Sequence, residues 1–216
     1  MGRCCDTIKC MKMLLTGFEA FGGSDRNPSG MIASSLNGST LADFGIQSSI
    51  LPVDRFNAPE KLLRSLREIQ PDAVLCLGEA PRRPVISIER VAINLLDYPI
   101  KDNLGEQVKD LPIRVDGPAA YFVSIPARAI LEALVAAGIP AELSLSAGAF
   151  LCNQVLYTLL DQLAQFESAI PAGFIHLPSL PEQVIDKSPQ SPSMALETST
   201  SAVKIAIEVI SRTMKQ

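Results

Sequence analysis

The chain has 216 residues, of which 47% are hydrophobic and 19% are charged, and its formal net charge is −4. This composition is sufficient for a large buried core and argues against intrinsic disorder. The negative charge argues against a nucleic-acid-binding protein, which normally carries a basic surface. No apolar run reaches the ~20 residues that a membrane-spanning helix needs, and the first ten residues lack the apolar core of a signal peptide. The sequence therefore predicts a cytoplasmic protein without a nucleic-acid or membrane partner.

Cysteine usage supports the same location. The chain has five cysteines, and three of them, Cys4, Cys5 and Cys10, lie within its first ten residues. An odd number with this crowding does not fit a disulfide framework, so a reducing compartment is expected. The N-terminal cluster lacks paired C-x-x-C spacing and has no histidine nearby, so we predict no zinc site there. We interpret residues 1–10 as a flexible extension and residues 11–216 as a single domain.

Strand-like and helix-like segments alternate along the chain, which predicts an α/β sandwich. The first half contains a strand at 13–16, a glycine-rich GFEAFGG loop, a helix at 28–36 with Asn27 as N-cap, a strand at 47–53, a helix at 58–69, and strands at 73–77 and 85–93. The continuous apolar run at 73–77 is typical of a central strand that is buried on both faces.

The second half opens with a long irregular stretch at 95–117, which holds five acidic residues and little periodicity. A loop of this length in a compact domain is usually a lid or a binding loop. The predicted elements that follow are a helix at 126–137 ended by Gly138, a strand at 143–146, a helix at 152–165, a strand at 173–177 and a helix at 202–214.

Cys152 is the first candidate for chemistry, because it lies at a strand–turn–helix junction after the AGAF turn. The free N–H groups and the positive dipole of a helix N-terminus favour a thiolate and can also bind an oxyanion. On local sequence alone, a buried structural cysteine remains the commoner outcome. Cys76 lies in the middle of the strand ALCLG and is predicted to be a core residue.

His176 is the only histidine, which excludes a His-rich metal site. It ends the apolar strand GFIH, and functional sites form at such strand ends in open α/β sheets, although a buried core histidine is the alternative.

Glu89 is a carboxylate within the apolar segment VISIERVAI and needs a partner. It either orients the imidazole or pairs with Arg82, Arg83 or Arg90. Together the three residues provide the nucleophile, base and orienting acid of a thiol triad. Glutamine amidotransferases differ, because their Glu closely follows the His.

The chain resembles the pyroglutamyl peptidase I (pyrrolidone-carboxylate peptidase) family from Met11 almost to the C-terminus. The matching segments are LLTGFEAFGGSDRNPS, ISIERVAIN, DNLGE, GPAAYF, SAGAFLCN and GFIHLPSLPEQ. ISIERVAIN and SAGAFLCN are similar to the acid and cysteine motifs of that family and occur in the same order. The resemblance implies a three-layer α/β/α sandwich around a twisted mixed sheet. It also implies a cofactor-free thiol hydrolase that removes N-terminal pyroglutamate from peptides and assembles as a homotetramer or dimer.

The resemblance also implies roles for individual residues. Glu89 becomes the acid, Cys152 the nucleophile and His176 the base, with a thiolate–imidazolium pair before attack. The residues implied in binding the pyroglutamyl ring are Phe18 and Phe21 of the glycine-rich loop, Asn27, Glu79 with the backbone of Gly78, and Phe150 and Leu151 before the nucleophile.

Two positions depart from the family pattern. Arg82 stands where the family has the second glycine of G-x-A-P-G-R, a position that resists a side chain if its φ is positive. Pro99 stands where the family has an arginine that supports the site near the oxyanion, and we hypothesise that Lys101 or Arg82 replaces its charge. Two alternative functions remain at this point: a relative that binds pyroglutamyl peptides with impaired turnover, and a nucleoside-phosphorylase-like enzyme. The second would need an Arg-rich phosphate site, and the sequence shows none.

Overall fold

The computed structural model describes residues 11–187 and 191–215. The predicted extension at residues 1–10, with Cys4, Cys5 and Cys10, lies outside the described residues. The elements in chain order are β1 (Met11–Phe18), α1 (Pro28–Leu36), β2 (Thr40–Leu41), β3 (Phe44–Leu51), α2 (Asn57–Ile69), β4 (Ala73–Glu79), β5 (Ile86–Glu89), β6 (Val91–Ile93), β7 (Ala120–Phe122), α3 (Ala127–Ala136), β8 (Ala141–Ser144), α4 (Leu151–Gln165), β9 (Ala172–Leu177) and α5 (Leu196–Thr213). A short 3₁₀ helix covers Pro181–Gln183.

Seven strands form one mixed sheet in the order β2-β3-β1-β4-β9-β5-β8. The strands β3, β1, β4 and β9 run parallel to one another, whereas β5 runs antiparallel to β9 and parallel to β8. Every residue of β4 is buried, as its continuous apolar sequence predicts for a central strand.

Helices cover both faces of this sheet. On one face, Ile32 of α1, Ile130 of α3 and Ile207 of α5 share a buried core with the sheet. On the other face, Leu62 of α2 and Leu156 of α4 pack against a second core. Two apolar layers on opposite sides of one sheet make the three-layer α/β/α sandwich that the sequence predicted. None of the helices within the described ranges is long and apolar enough to cross a membrane.

Helix α1 matches its predicted bounds, because its start signal is local. The Asn27 side chain accepts a hydrogen bond from the Ser29 N–H at 3.0 Å, which caps the helix. Most other predicted elements are present with ends shifted by one to three residues. The helix predicted at 202–214 instead begins six residues earlier, at Leu196.

The single strand predicted at 85–93 is wrong. The chain leaves the main sheet after Glu89, and Val91–Ile93 pairs with the unpredicted strand Ala120–Phe122 in a separate two-stranded sheet. The backbone of Arg90 makes the change: its N–H donates to Ser144 O and its carbonyl accepts from Val123 N–H. The period-two pattern of the sequence continues through this position, so nothing local marks the break.

Candidate active site

The candidate residues meet where β4 and β9 end and α4 begins. Gly78 of β4 lies opposite His176 of β9 in the parallel register. On the other side of β9, the antiparallel strand β5 places Ser87 opposite His176 and Glu89 opposite Phe174. Side chains of directly opposed residues point to the same face of a sheet. Glu89, Phe174 and His176 therefore share the face that α2 and α4 cover.

Gly78 makes room for the Cys152 thiol. A Cβ atom built at Gly78 would lie 2.9 Å from Cys152 Sγ and 2.7 Å from the nearest ring carbon of Phe174. The Cys152 sulfur thus sits directly above β4 at the residue that neighbours His176, and paired strands are about 4.8 Å apart. The thiol and the imidazole are therefore neighbours, although the part of the chain that the structure describes contains no hydrogen bond between them.

Replacing Gly78 by alanine should therefore damage the site. The added methyl group pushes against the Cys152 sulfur and the Phe174 ring, and Phe174 packs on His176 with ring centroids 4.7 Å apart. We expect a loss of about 1–3 kcal/mol in unfolding free energy from overpacking and a fall in activity of about 10²-fold, since ångström-scale misplacement costs that much. Thermal unfolding and steady-state kinetics of this variant measure both effects. Wild-type activity in a folded G78A protein would contradict the placement.

Glu89 and His176 form a buried hydrogen-bonded pair. The distance from His176 Nδ1 to Glu89 Oε1 is 2.7 Å, with Glu89 fully buried and His176 4% exposed. Burial acts to raise the pKa of Glu89, whereas the hydrogen bonds of His176 and Ser144, the charge of Arg83 and that of His176 when it is protonated act to lower it, and the net direction is down. An ionised carboxylate only accepts hydrogen bonds, so Nδ1 carries the proton. In the neutral imidazole the lone pair then lies on Nε2.

Burial acts differently on the other two candidates. It raises the pKa of the Cys152 thiol to about 12, with the charge of Glu89 adding to the effect and that of Arg83 opposing it. It lowers the pKa of His176 below its ordinary value, and this outweighs the opposing hydrogen bond and charge of Glu89. Both directions favour the uncharged thiol and imidazole in this structure. The thiolate–imidazolium pair that the resemblance implies would have to overcome this desolvation.

Two neighbours of Cys152 fix the start of α4. Leu151 is 1% exposed and belongs to the core on this face. Asn153 is fully buried: its Oδ1 accepts from Ile93 N–H at 2.9 Å, and its Nδ2 donates to the carbonyls of Ile93 and Leu95. The side chain of Asn153 thus completes the edge of β6. Sequence reasoning missed this anchor, because its partners are about 60 residues away along the chain.

The residues implied in ring binding fall into two groups. Phe18 is 3% exposed at the end of β1, and Phe150 packs edge-on against Tyr98 with ring centroids 4.5 Å apart. Phe21 is partly exposed and lines a cavity of about 590 Å³ together with Glu79 and Ile100. The structure therefore brings Phe21 and Glu79 to one open cleft, while Phe18 and Leu151 lie beneath the surface.

Glu79 is held in place by hydrogen bonds. Its Oε1 accepts from Ser179 Oγ at 2.6 Å, and its Oε2 accepts from Gln183 Nε2 at 3.2 Å. Both donors belong to the segment that follows β9. The carboxylate therefore ties the end of β4 to the segment after the histidine.

Asn27 has a local structural role. Its Nδ2 donates to Glu19 O at 2.9 Å, and its Oδ1 accepts from both the N–H and the hydroxyl of Ser29. These bonds occupy both ends of the amide, and the residue is 4% exposed. The geometry therefore makes Asn27 a support of the glycine-rich loop, in contrast to the substrate contact implied by the resemblance.

The DNLGE segment also supports this loop, a role that sequence reasoning missed. Asn103 Nδ2 donates to Glu19 Oε1 at 3.0 Å and to Ala20 O at 3.1 Å. The Asn103 N–H donates to Val53 O. One asparagine thus connects the glycine-rich loop to the chain segment after β3.

The two departures from the family pattern lie at the surface. Arg82 has φ +83°, a backbone conformation that favours glycine, so the condition under which this position resists a side chain is met. Pro99 and Lys101 are exposed. Neither Arg82 nor Lys101 makes a side-chain hydrogen bond or ion pair with any other residue in the described ranges. The hypothesis that one of them replaces the missing arginine therefore gains no support from contacts.

Comparison with known proteins agrees with this geometry. A model of the pyroglutamyl peptidase family matches residues 11–213. The chain belongs to the pyroglutamyl peptidase family. It is 45% identical over 202 residues to the pyrrolidone-carboxylate peptidase of Pyrococcus furiosus, a match that covers 92% of this chain and 97% of that protein. The pyrrolidone-carboxylate peptidase of Bacillus cereus is 42% identical, with 91% of each chain covered.

Solved structures of the family have the same fold. A mutant pyrrolidone carboxyl peptidase from Pyrococcus furiosus superposes with a TM-score of 0.92 at 43% identity, covering 94% of this chain and all of that chain. The enzyme from Thermococcus litoralis gives a TM-score of 0.92 at 39% identity, with 95% of each chain covered. This chain is thus a cysteine peptidase that acts on N-terminal pyroglutamate. The two alternative functions left open by the sequence find no support.

Proposed function

We propose that Cys152, His176 and Glu89 carry out the hydrolysis as nucleophile, base and orienting acid. The observation that supports this assignment best is the buried 2.7 Å contact between His176 Nδ1 and Glu89 Oε1. This contact leaves Nε2 of the only histidine unprotonated and available as a base. The Cys152 thiol lies nearby, over Gly78. Cys76, the other described cysteine, is fully buried within β4.

Acylation begins when the pyroglutamyl carbonyl group of the substrate reaches Cys152 and His176. Nε2 of His176 takes the thiol proton, and Cys152 Sγ attacks the pyroglutamyl carbonyl carbon. The Glu89 carboxylate stabilises the imidazolium. The carbonyl oxygen becomes an oxyanion near the N-terminus of α4, where the backbone N–H of Cys152 has no acceptor within the helix. The tetrahedral intermediate then collapses: the C–N bond breaks, His176 gives its proton to the leaving amine, and a thioester remains.

Deacylation uses the same groups in the reverse sense. His176 takes a proton from a water molecule as the water oxygen attacks the thioester carbonyl carbon. The C–S bond breaks, the sulfur regains its proton from His176, and free pyroglutamate leaves. Atoms balance with one water consumed for each peptide cleaved, and no step requires a cofactor.

Substrate recognition follows from the chemistry of the lactam ring. Pyroglutamate has no free amine, so a site without an ammonium-binding carboxylate suits it. We propose that Phe21, with Phe18 and Phe150 behind it, provides the apolar wall of the ring site, and that the backbone at Gly78 and Glu79 binds the lactam. The Glu79 carboxylate is already occupied by Ser179 and Gln183, so it serves to fix the strand end and not to bind an amine.

Comparison of two amides with the same chromogenic leaving group tests this function. One carries pyroglutamate and the other proline, which has a charged ring nitrogen and no lactam carbonyl. Because a site built to hydrogen-bond a polar group rejects analogues that lack it, we expect kcat/KM to favour pyroglutamate by about 10⁴-fold. Equal rates for the two amides would contradict the proposal.

Assembly and location are also proposals. We propose that residues 11–216 work as one peptidase domain in the cytoplasm and assemble as a homotetramer or dimer. The family match over 11–213 supports the first part. Phe122 and Val115 are apolar side chains that are 72% and 82% exposed, and burial of such side chains would stabilise a subunit interface. Light scattering of the purified protein measures the assembly state, and a monomer at micromolar concentration would contradict it.

A further inference from the structure

The side chain of Arg83 joins the candidate acid to the loop that leads to the nucleophile. Its NH1 donates to Glu89 Oε1 at 2.6 Å and lies 3.4 Å from Ser144 Oγ. Its NH2 donates to Ser146 O at 2.8 Å. Ser146 lies in the short loop at 145–150 that joins β8 to α4, and Cys152 is the second residue of that helix. One guanidinium thus contacts the candidate acid directly, and it also holds the backbone of the loop that leads to the nucleophile.

The turn before β5 directs this side chain. The Arg83 N–H donates to Ala80 O at 3.1 Å, and Arg82 adopts φ +83°, which closes a tight turn at the end of β4. The turn brings Arg83 back over Glu89, six residues later in the chain. The strained backbone of Arg82 thus places the Arg83 side chain beside Glu89.

Glu89 Oε1 accepts from two donors at once, His176 Nδ1 at 2.7 Å and Arg83 NH1 at 2.6 Å. Glu89 Oε2 has no hydrogen-bond partner among the described residues. A fully buried carboxylate with a single neutral partner would be costly, and the guanidinium offsets that cost. With both donors on one oxygen, the carboxylate has one favoured orientation, and the imidazole has one as well.

We propose that Arg83 is a positioning residue that fixes the Glu89–His176 pair and connects it to the Ser144–Ser146 turn that leads to Cys152. The proposal rests on the proposed function, because it assigns Arg83 a role in the same reaction. A lysine cannot replace it fully, since a single ammonium lacks the planar fork that reaches Glu89 and Ser146 together.

The charge of Arg83 also affects the titration of His176. The titratable groups around His176 are Glu89 on β5, Cys76 on β4, Cys152 on α4, and Glu142 on β8, whose carboxylate accepts from Ser87 Oγ opposite His176. Burial is the main cause that lowers the pKa of His176; Glu89 opposes it and Arg83 adds to it. Loss of the Arg83 charge should raise the pKa of His176.

The test compares Arg83→Gln and Arg83→Lys with the wild type. Arg90→Gln is the matched control, because it removes the same charge next to Glu89 in the chain from an exposed side chain that makes no hydrogen bond or ion pair within the described residues. For Arg83→Gln we expect kcat to fall about 10²-fold, with a much smaller change in KM. The acid limb of kcat/KM, which requires unprotonated His176, should move to higher pH. Arg83→Lys should restore the position of the limb but not kcat, and Arg90→Gln should behave as the wild type.

A second readout does not depend on turnover. Because His176 is the only histidine, its ring resonances in untagged, histidine-labelled protein are unambiguous, and their pH titration should shift upward in Arg83→Gln. A folded Arg83→Gln variant with wild-type kcat and an unchanged histidine titration overturns the role of Arg83, as does a loss equal to that of Arg90→Gln. If Arg83→Gln does not fold, wild-type kcat in Arg83→Lys overturns it. If the wild-type protein does not cleave the pyroglutamyl amide, the proposed function itself is contradicted, whatever the result of the histidine titration.

Discussion

Replacing Cys152 by alanine is expected to lower kcat/KM for a pyroglutamyl amide by about 10⁴-fold or more, because no other group can form the acyl intermediate. The sulfur lies over Gly78 at the N-terminus of α4, and its removal leaves the anchors Leu151 and Asn153 intact. The fold should therefore persist, and circular dichroism and thermal unfolding check that it does. Steady-state kinetics of the purified variant measure the loss.

Cys76→Ala is the matched control for this variant. Cys76 is fully buried within β4, whereas Cys152 is partly exposed at the N-terminus of α4, so Cys76 is a core residue rather than a nucleophile. We expect a destabilisation of about 1 kcal/mol from the small cavity and activity close to that of the wild type. Equal losses in Cys76→Ala and Cys152→Ala would show that sulfur matters for packing alone and would remove the reason for assigning Cys152 as nucleophile.

Replacing His176 by glutamine is expected to lower kcat by about 10³-fold, the usual contribution of a positioned general base. Glutamine keeps a donor for Glu89 but cannot accept the thiol proton. Because burial lowers the pKa of His176, the unprotonated form persists below pH ~6.5, the ordinary pKa of histidine. Wild-type kcat/KM should thus fall only as the pH drops through that lowered value, and this acid limb should disappear in His176→Gln. An unchanged pH profile in the variant would exclude His176 as the base.

Local signals in the sequence were sufficient for much of the fold. Asn27 and Pro28 mark the start of α1, because Asn27 caps the helix with its side chain and Pro28 has a fixed φ that suits the first helical position. The apolar run of β4 indicates burial on both faces, because no residue in it prefers contact with water. The break at Arg90 was not predictable, because it depends on hydrogen bonds to Ser144 and Val123, which lie far along the chain.

In the candidate site, too, some contacts could be predicted from the sequence and others depend on packing. The chemistry of Glu89 suggested either His176 or an arginine as its partner, and the structure gives it both: His176 Nδ1 at 2.7 Å, 87 residues away along the chain, and Arg83 NH1 at 2.6 Å. Gly78 was singled out only for its backbone, since its space for the Cys152 sulfur depends on how α4 packs on the sheet. The contact of Arg83 with Ser146 likewise depends on the turn at Arg82 and on the position of β8. Contacts of this kind arise from packing, which no local pattern encodes.

The central claim is that Cys152 forms a covalent thioester with the pyroglutamyl group. The most direct test mixes the enzyme with excess pyroglutamyl ester or activated amide, stops the reaction in acid within the first turnover, and measures intact mass and then peptide masses. We predict that the protein gains the mass of one pyroglutamyl group less one hydrogen, located on the peptide that contains Cys152 and absent in Cys152→Ala. Rapid turnover with no such adduct at any quench time, or an adduct on a different residue, would contradict the claim.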